Sequence, residues 1–412
     1  TDNLLSPAPG GSLEHTYKLF REIYGTASTI FTAGGATAAL QAAISAVVRC
    51  RGKTVICDRS AHTSVIYALC HCGASVKWIC RDESGALNAD DVITAIRQNN
   101  GAACVILTSP DYYGRLCDIP AVCLAAKDYG IPVIVDSAHG AHLPFYDGGC
   151  LSAYKQGASF VVESLHKTLP ALTGAALLHS DGTIPEDLLI ASMKHFSSSS
   201  PSYLVLLSIC ECVSFMHSSG RALLHSLLSE IEKTKEILRS QGYTFQYEPE
   251  NAKPFVDPFR LCVRPPKGHS PQELYDFLYK NKLVCEFYDR DFVVAIPSVM
   301  NKKEDFAAFT ALCSKFAQSV PNNSYNPAPL PHIRPHAAIP MKEALLETQP
   351  LRLPLSLALG RICAEPQAPY PPGTPIIVPG EVYDADVIDY LALCGFEDAW
   401  VTQNEKERLD TP

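Results

Sequence analysis

The sequence predicts an α/β protein: a large domain built on a mainly parallel sheet, followed by a smaller α+β C-terminal domain. Three observations lead there. Short β-branched runs at 54–57, 103–107, 132–135 and 160–162 have the composition of strands buried on both faces. Ala-rich amphipathic stretches at 36–48, 64–72, 89–98 and 119–129 lie between them and read as helices. Strands and helices alternating at this interval argue for parallel strands joined by helical crossovers.

At 412 residues the chain is long enough for two or three domains and a large core. Hydrophobic residues make up 47% and charged residues 19%, a globular mix. Its 34 basic and 43 acidic side chains give a net charge of −9, which argues against nucleic acid as the main partner. No apolar run approaches the ~18–20 residues of a membrane span. The first residues lack the basic-then-apolar pattern of a secretory signal. Its 16 cysteines are scattered through apolar stretches, as expected of reduced thiols in a cytoplasmic protein. Cys70-His71-Cys72 has no second pair at zinc-finger spacing, so no metal site is expected.

The segment from Tyr203 to about Ser240 reads as helical and could bridge the two domains. The boundary is expected near Gln241, giving domains 1–240 and 241–412. In the second, runs at 260–263, 283–287 and 292–296 read as strands flanking a helix at 271–280. The Pro- and Asn-rich run 321–335 reads as a linker. Residues 341–347 look helical, 376–378 look like a short strand, and the charged end 404–412 reads as frayed.

Ligands of open α/β sheets bind at the carboxyl ends of the strands. The run 132–135 ends at Asp136, where a carboxylate can keep a heterocyclic nitrogen protonated, and Ala138 beside it leaves room for a flat ring. Further on, Ser164-Leu-His-Lys-Thr-Leu closes a strand and opens an apolar segment. Burial there would depress the Lys167 pKa and favour Schiff-base chemistry, while Ser164 and His166 offer donors to a phosphate. Gly34-Gly35-Ala36-Thr37 before an Ala-rich helix forms a potential phosphate cradle. His62 could stack on a planar ring. Each feature alone also fits a bland role: a strand-end cap, a surface lysine, a helix start, a structural histidine. Together they follow the order of one ligand with a phosphate, a flat ring, a ring nitrogen and an aldehyde. That ligand is pyridoxal 5'-phosphate.

On these residues the chain resembles the fold-type-I pyridoxal-phosphate enzymes, and among them the ornithine/lysine/arginine decarboxylases in their short form, without the wing domain. Asp136-Ser-Ala-His-Gly-Ala-His is similar to that group's Asp-x-Ala-His-Gly-Ala-His segment, and Ser164-Leu-His-Lys-Thr-Leu-Pro-Ala-Leu-Thr to its Schiff-base segment. His62-Thr-Ser, Ser109-Pro-Asp-Tyr-Tyr-Gly, Ser199-Ser-Pro-Ser-Tyr and Tyr370-Pro-Pro-Gly-Thr-Pro-Ile-Ile-Val-Pro-Gly-Glu also resemble family segments. The resemblance implies an aspartate-aminotransferase-like large domain. It implies an internal aldimine on Lys167, Asp136 on the pyridine nitrogen and His62 on the ring. Gly35, Ala36, Thr37, Ser164 and His166 would hold the phosphate, with Ser199 or Ser200 reaching in from a partner subunit. Ala138 and His139 complete the expected cofactor contacts. A homodimer with interfacial sites follows, and Glu381 or Glu365 would meet the distal cation of a basic substrate. The chain departs from the pattern in three ways. It starts after the Thr-Pro-Gly-His-Lys-like stretch, and Ala36 stands where a hydroxyl residue is common. Asp111 stands where Thr is usual.

The implied reaction is decarboxylation of arginine, lysine or ornithine through an external aldimine and a quinonoid, with His166 or Lys167 returning a proton to Cα. An aminotransferase, a side-chain lyase, or a non-catalytic pyridoxal-phosphate-binding homologue would share the core constellation.

Overall fold

Strand ends that carry chemistry all emerge on one edge of a seven-stranded sheet. The computed structural model describes residues 13–82, 84–246, 256–319, 325, 333, 335–370 and 373–403. Helix α1 (Glu14–Tyr24) and strand β1 (Ser28–Thr32) lead into α2 (Gly35–Arg51) and β2 (Thr54–Asp58). Alternation continues through α3 (Thr63–Cys72), β3 (Ser75–Ile79), α4 (Ala89–Gln98), β4 (Cys104–Thr108), α5 (Ile119–Lys127) and β5 (Val133–Asp136). Strand β6 (Phe160–Ser164) runs directly into the single turn α6 (Leu165–Thr168) and returns as β7 (Ala176–Ser180).

The strand order is β1-β7-β6-β5-β4-β2-β3. Strands β3, β2, β4, β5 and β6 are parallel, and β7 runs antiparallel to both β6 and β1. The expected mainly parallel sheet is therefore present. Helix α2 covers one face with small residues such as Ala39, Ala42 and Ala43, which let its axis approach the strands closely. Val92 and Ile96 of α4 and Val122 of α5 close the other face. With both faces covered, Ile106, Ile134 and Val161 are fully buried, which is why these runs read as continuously apolar.

Helices α7 (Glu186–Phe196), α8 (Tyr203–Phe215) and α9 (Arg221–Arg239) follow. A π-helical turn, Met216–Gly220, joins α8 to α9. The resulting run Tyr203–Arg239, helical as expected, is by length and composition apolar enough to cross a membrane, against the expectation that no run approaches a span. Its residues Ile209, Val213, Leu224 and Ile231 pack into a core cluster with α1, as in the core helix of a folded domain.

The remainder holds β8 (Thr244–Phe245), β9 (Leu261–Arg264), α10 (Pro271–Lys280), β10 (Phe287–Tyr288), β11 (Val293–Ala295) and α11 (Lys303–Ala317). These strands form an antiparallel sheet ordered β10-β11-β9-β8. Strand β12 (Pro350–Pro354), helix α12 (Ala385–Leu393) and strand β13 (Asp398–Thr402) build a second small unit around Ile377, Tyr383 and Val401.

Two expected strands differ. Only the end of 283–287 is extended, as β10. The segment 376–378 makes one bridge, Gln367 to Ile377, and no strand. Side chains take its backbone groups instead: Arg59 donates to the carbonyls of Pro375 and Ile376, and Val378 N–H donates to Glu381. Apart from residues 325, 333 and 335, the run 321–335 lies outside the described residues, as does 404–412.

Candidate cofactor site

The carboxyl edge of the sheet opens into a cavity of about 820 Å3. Its floor is built from β2, β4, β5 and β6, and its lining includes Thr108, Asp136, Ser164 and Lys167.

Helix α2 points its N-terminus at this cavity, and Gly35, Ala36 and Thr37 line it. No side chain caps the helix and its first turn holds no acid; the N–H groups of Gly34 and Gly35 are taken by Thr32 and Gly174, which leaves those of Ala36 and Thr37 to meet an anion. Gly35 has φ +72°, a left-handed turn that favours glycine, and its N–H bonds to Gly174 O at 2.9 Å. Ser164 and His166 line the same cavity, with His166 Nδ1 3.4 Å from Ala175 O.

His62 is the N-cap of α3. Its Nδ1 accepts from Ser64 N–H at 3.1 Å, which fixes the ring plane. Across from it, Gly373 at φ +80° packs tightly: a Cβ there would sit 3.0 Å from His62 Cδ2 and press on the ring. Burial pushes the His62 pKa down, against the pull of Asp136.

Asp136 ends β5 and is buried; its Oδ1 accepts from Ala138 N–H at 3.1 Å. Burial raises its carboxyl pKa, while Lys167, His62 and that N–H pull it down. Lys167 sits on α6, with Nζ 3.2 Å from His139 Nε2. Burial, aided by Arg260, holds its ammonium below the usual 10.5, while Asp136 and Glu286 oppose this.

Asp111, the departure from the usual Thr, does line the cavity, but two arginines neutralise it. Arg81 and Arg115 donate to its Oδ2 at 2.9 and 3.0 Å, and its Oδ1 caps the N–H groups of Tyr113 and Arg115. Arg81 also grips Asp58 at 2.6 Å.

Other candidates lie apart. Ser199 and Ser200 are exposed and do not line the cavity. The nearby Ser197 has a buried hydroxyl without a partner, 3.7 Å from where a Cβ on Gly34 would stand. Glu381 pairs with Arg59 at 2.8 Å and faces a neighbouring cavity of about 460 Å3 instead. Glu365 accepts from Tyr67 OH at 3.4 Å and lines neither cavity. Among the described residues no cluster of His, Cys, Asp or Glu could hold a metal ion.

Two charged residues escaped the sequence reading. Arg260, at the start of the small sheet, reaches His139, and Glu286 accepts from Tyr112 OH at 2.6 Å. Neither lies near the motifs in sequence. The remaining signal for both is tertiary.

The Orn/Lys/Arg decarboxylase major-domain profile matches residues 2–262, and the C-terminal-domain profile of the same family matches residues 318–399. The chain belongs to the Orn/Lys/Arg decarboxylase family. Two relatives from Bacillus subtilis bracket this decarboxylase-family chain. The protein YaaO is 29% identical over 383 residues, covering 90% of this chain and 80% of its own. An arginine decarboxylase is 26% identical over 401 residues, covering 93% and 81%. Lysine decarboxylase A from Pseudomonas aeruginosa superposes with a TM-score of 0.77 at 17% identity, over 95% of this chain and 68% of that one. That likeness is one of fold: the aminotransferase-like architecture of pyridoxal-phosphate enzymes.

Pyridoxal phosphate is the cofactor of this decarboxylase family, and the cavity fits it. An uncapped helix N-terminus with Thr37, Ser164 and His166 suits a phosphate. A buried carboxylate suits a ring nitrogen, and an amine shifted toward its neutral form suits an aldehyde.

Proposed function

We propose that the chain decarboxylates a basic amino acid (arginine, lysine or ornithine) in this cavity. The observation that carries the reading is Lys167 beside buried Asp136 at the carboxyl edge of the sheet, in a chain of this family. Pyridoxal phosphate, when bound, supplies the sink for the electron pair left as the Cα–carboxylate bond breaks.

The chain's own residues do the rest. Lys167 Nζ, its pKa lowered by burial, would be the nucleophile that holds the cofactor. Asp136 would keep a ring nitrogen protonated through an ion pair shielded from water. His62, locked by Ser64 and Gly373, would cover one ring face. Lys167 or His166 would hold the proton that returns to Cα. Gly35, Ala36, Thr37, Ser164 and His166 would bind the phosphate, joined by Ser197 of the same chain and by Ser199 or Ser200 of a partner subunit.

For the distal cation, Glu286 is the preferred carboxylate. It stands outside the cavity lining and is exposed to solvent, but it is held by Tyr112, which does line the cavity, and its charge acts on Lys167. Glu381 and Glu365 remain part of the proposal only through rearrangement or a partner subunit, since Arg59 and Tyr67 already occupy them. The reading includes a cytoplasmic homodimer and a division near residue 240 between the cofactor-binding part and the C-terminal part.

Incubation with arginine, lysine and ornithine tests it directly. Release of CO2 and the matching amine from one of them is expected. Intact cofactor absorbance with no amine from any would overturn it.

A further inference from the structure

His139 is enclosed and touches two nitrogen-bearing side chains, one on each ring nitrogen. On one side Lys167 Nζ is 3.2 Å from Nε2. On the other, Arg260 Nη2 is 3.4 Å from Nδ1. Arg260 is 4% exposed, and its Nε and Nη1 find no partner among the described residues. The loop Ser109-Pro-Asp-Tyr-Tyr-Gly makes room for it. A Cβ on Gly114 would stand 2.7 Å from Arg260 Cβ, so a bare glycine is needed for the guanidinium stem to pass. Asp257, which also accepts from His142 Nε2 at 3.1 Å, supplies the countercharge.

A guanidinium has donors only and does not lose its proton in proteins. Facing it, His139 Nδ1 must accept. A neutral imidazole with an accepting Nδ1 carries its hydrogen on Nε2, the nitrogen that faces Lys167. An Nε2–H can be satisfied by Lys167 only if Nζ offers a lone pair, which an ammonium lacks. We propose that Arg260 is a positioning residue: by donating to Nδ1 it fixes His139 as the Nε2–H tautomer, and that tautomer holds Lys167 as the free amine.

The surrounding charges agree with this. Burial and the Arg260 guanidinium disfavour a second proton on His139. Around Lys167, burial and Arg260 favour the amine, while Asp136 and Glu286 favour the ammonium. The histidine hydrogen bond tips a balance that charge alone leaves contested. His166 and His62 also feel Lys167, and burial depresses both. Use of this amine rests on reading Lys167 as the cofactor anchor. Its protonation state does not.

The test uses the full chain stripped of cofactor with hydroxylamine. Trace labelling with acetic anhydride across a pH series, read at the Lys167 peptide by mass spectrometry, reports the free-amine fraction. Arg260→Met frees His139 to flip its tautomer and accept from an ammonium, so labelling of Lys167 at neutral pH should fall about tenfold, one pKa unit. Arg260→Lys keeps a donor-only cation and should label within about twofold of the unsubstituted chain, a rescue that packing would not give and that direct charge would share, so the His139 tautomer decides between charge and positioning. Unchanged labelling in Arg260→Met overturns the proposal. Independently, 15N resonances of the His139 ring in the unsubstituted chain must report Nε2–H. Nδ1–H or an imidazolium overturns it even if Arg260→Met does not fold. Loss of visible absorbance on reconstitution of Lys167→Ala tests the anchor role separately.

Discussion

Arg59 Nη2 stands 2.8 Å from Glu381 Oε2, a pair whose side chains are almost wholly buried. The same guanidinium lies over Trp78 and donates to the carbonyls of Pro375 and Ile376. Glu381 therefore pins the segment after Gly373, which itself packs on His62. Removing one partner leaves the other charge buried and unpaired, at a cost of about 3–5 kcal/mol. Glu381→Gln should lower the urea midpoint accordingly. If Glu381 instead reads the substrate cation directly, the same variant would raise KM for the amino acid with stability intact.

Asp111→Thr restores the residue usual in related loops, yet it should harm this chain. It would strip Arg81 and Arg115 of a shared carboxylate and uncap the N–H groups of Tyr113 and Arg115. A loss of about 2–4 kcal/mol is expected from leaving buried donors unsatisfied. Thermal unfolding measures it. Higher stability with tighter cofactor binding would show that Asp111 is a defect and not part of a network.

His139 sets an acid limit on stability. Its folded pKa lies well below 6.5 because burial and neighbouring cations oppose a second proton, whereas the unfolded chain takes that proton near 6.5. The unfolded state then binds more protons, so stability falls as pH drops below 6.5 and is fully present above it. One buried neutral histidine contributes a slope of about 1.4 kcal/mol per pH unit. His139→Gln should remove that much from the slope of unfolding free energy between pH 6 and 5, measured by denaturant titration at each pH, and leave the His62 share.

Much of the parallel half of the fold was legible because strands covered on both faces must be apolar throughout: Val55, Ile106, Ile134 and Val161 left little else to read. Strand β3 was not, since at the sheet edge its exposed Ser75 and Lys77 alternate with half-buried Val76 and Trp78. Strand β7 hid inside an apolar run whose antiparallel pairing no local pattern encodes. In the site, Asp136 and Lys167 were legible because each ends or follows a strand of that sheet. Arg260 and Glu286 were not. They directly precede β9 and β10 of the small antiparallel sheet, and only its packing over the Tyr112-Tyr113 loop carries Arg260 to His139 and Glu286 to Tyr112. Glu381 looked like a free carboxylate because its partner Arg59 is distant in sequence.

Glu286 carries the specificity prediction. Its carboxylate accepts from Tyr112 OH, whose ring meets His139 edge-on at 4.5 Å, so the acid is tethered to the wall that also contacts Lys167. A basic substrate brings a cation that would be drawn to such a carboxylate, and a charge-assisted bond is stronger than a neutral one. Glu286→Gln keeps the shape and the hydrogen bond to Tyr112 but removes the charge. KM for the preferred basic amino acid should rise about tenfold, the equivalent of about 1.4 kcal/mol, with the cofactor absorbance unchanged because no cofactor contact is lost. Tyr112→Phe should give a smaller rise, since the carboxylate stays but loses its tether. Equal turnover by wild type and Glu286→Gln at low substrate would move the cation site to the second cavity, where Glu381 would have to leave Arg59 to serve it.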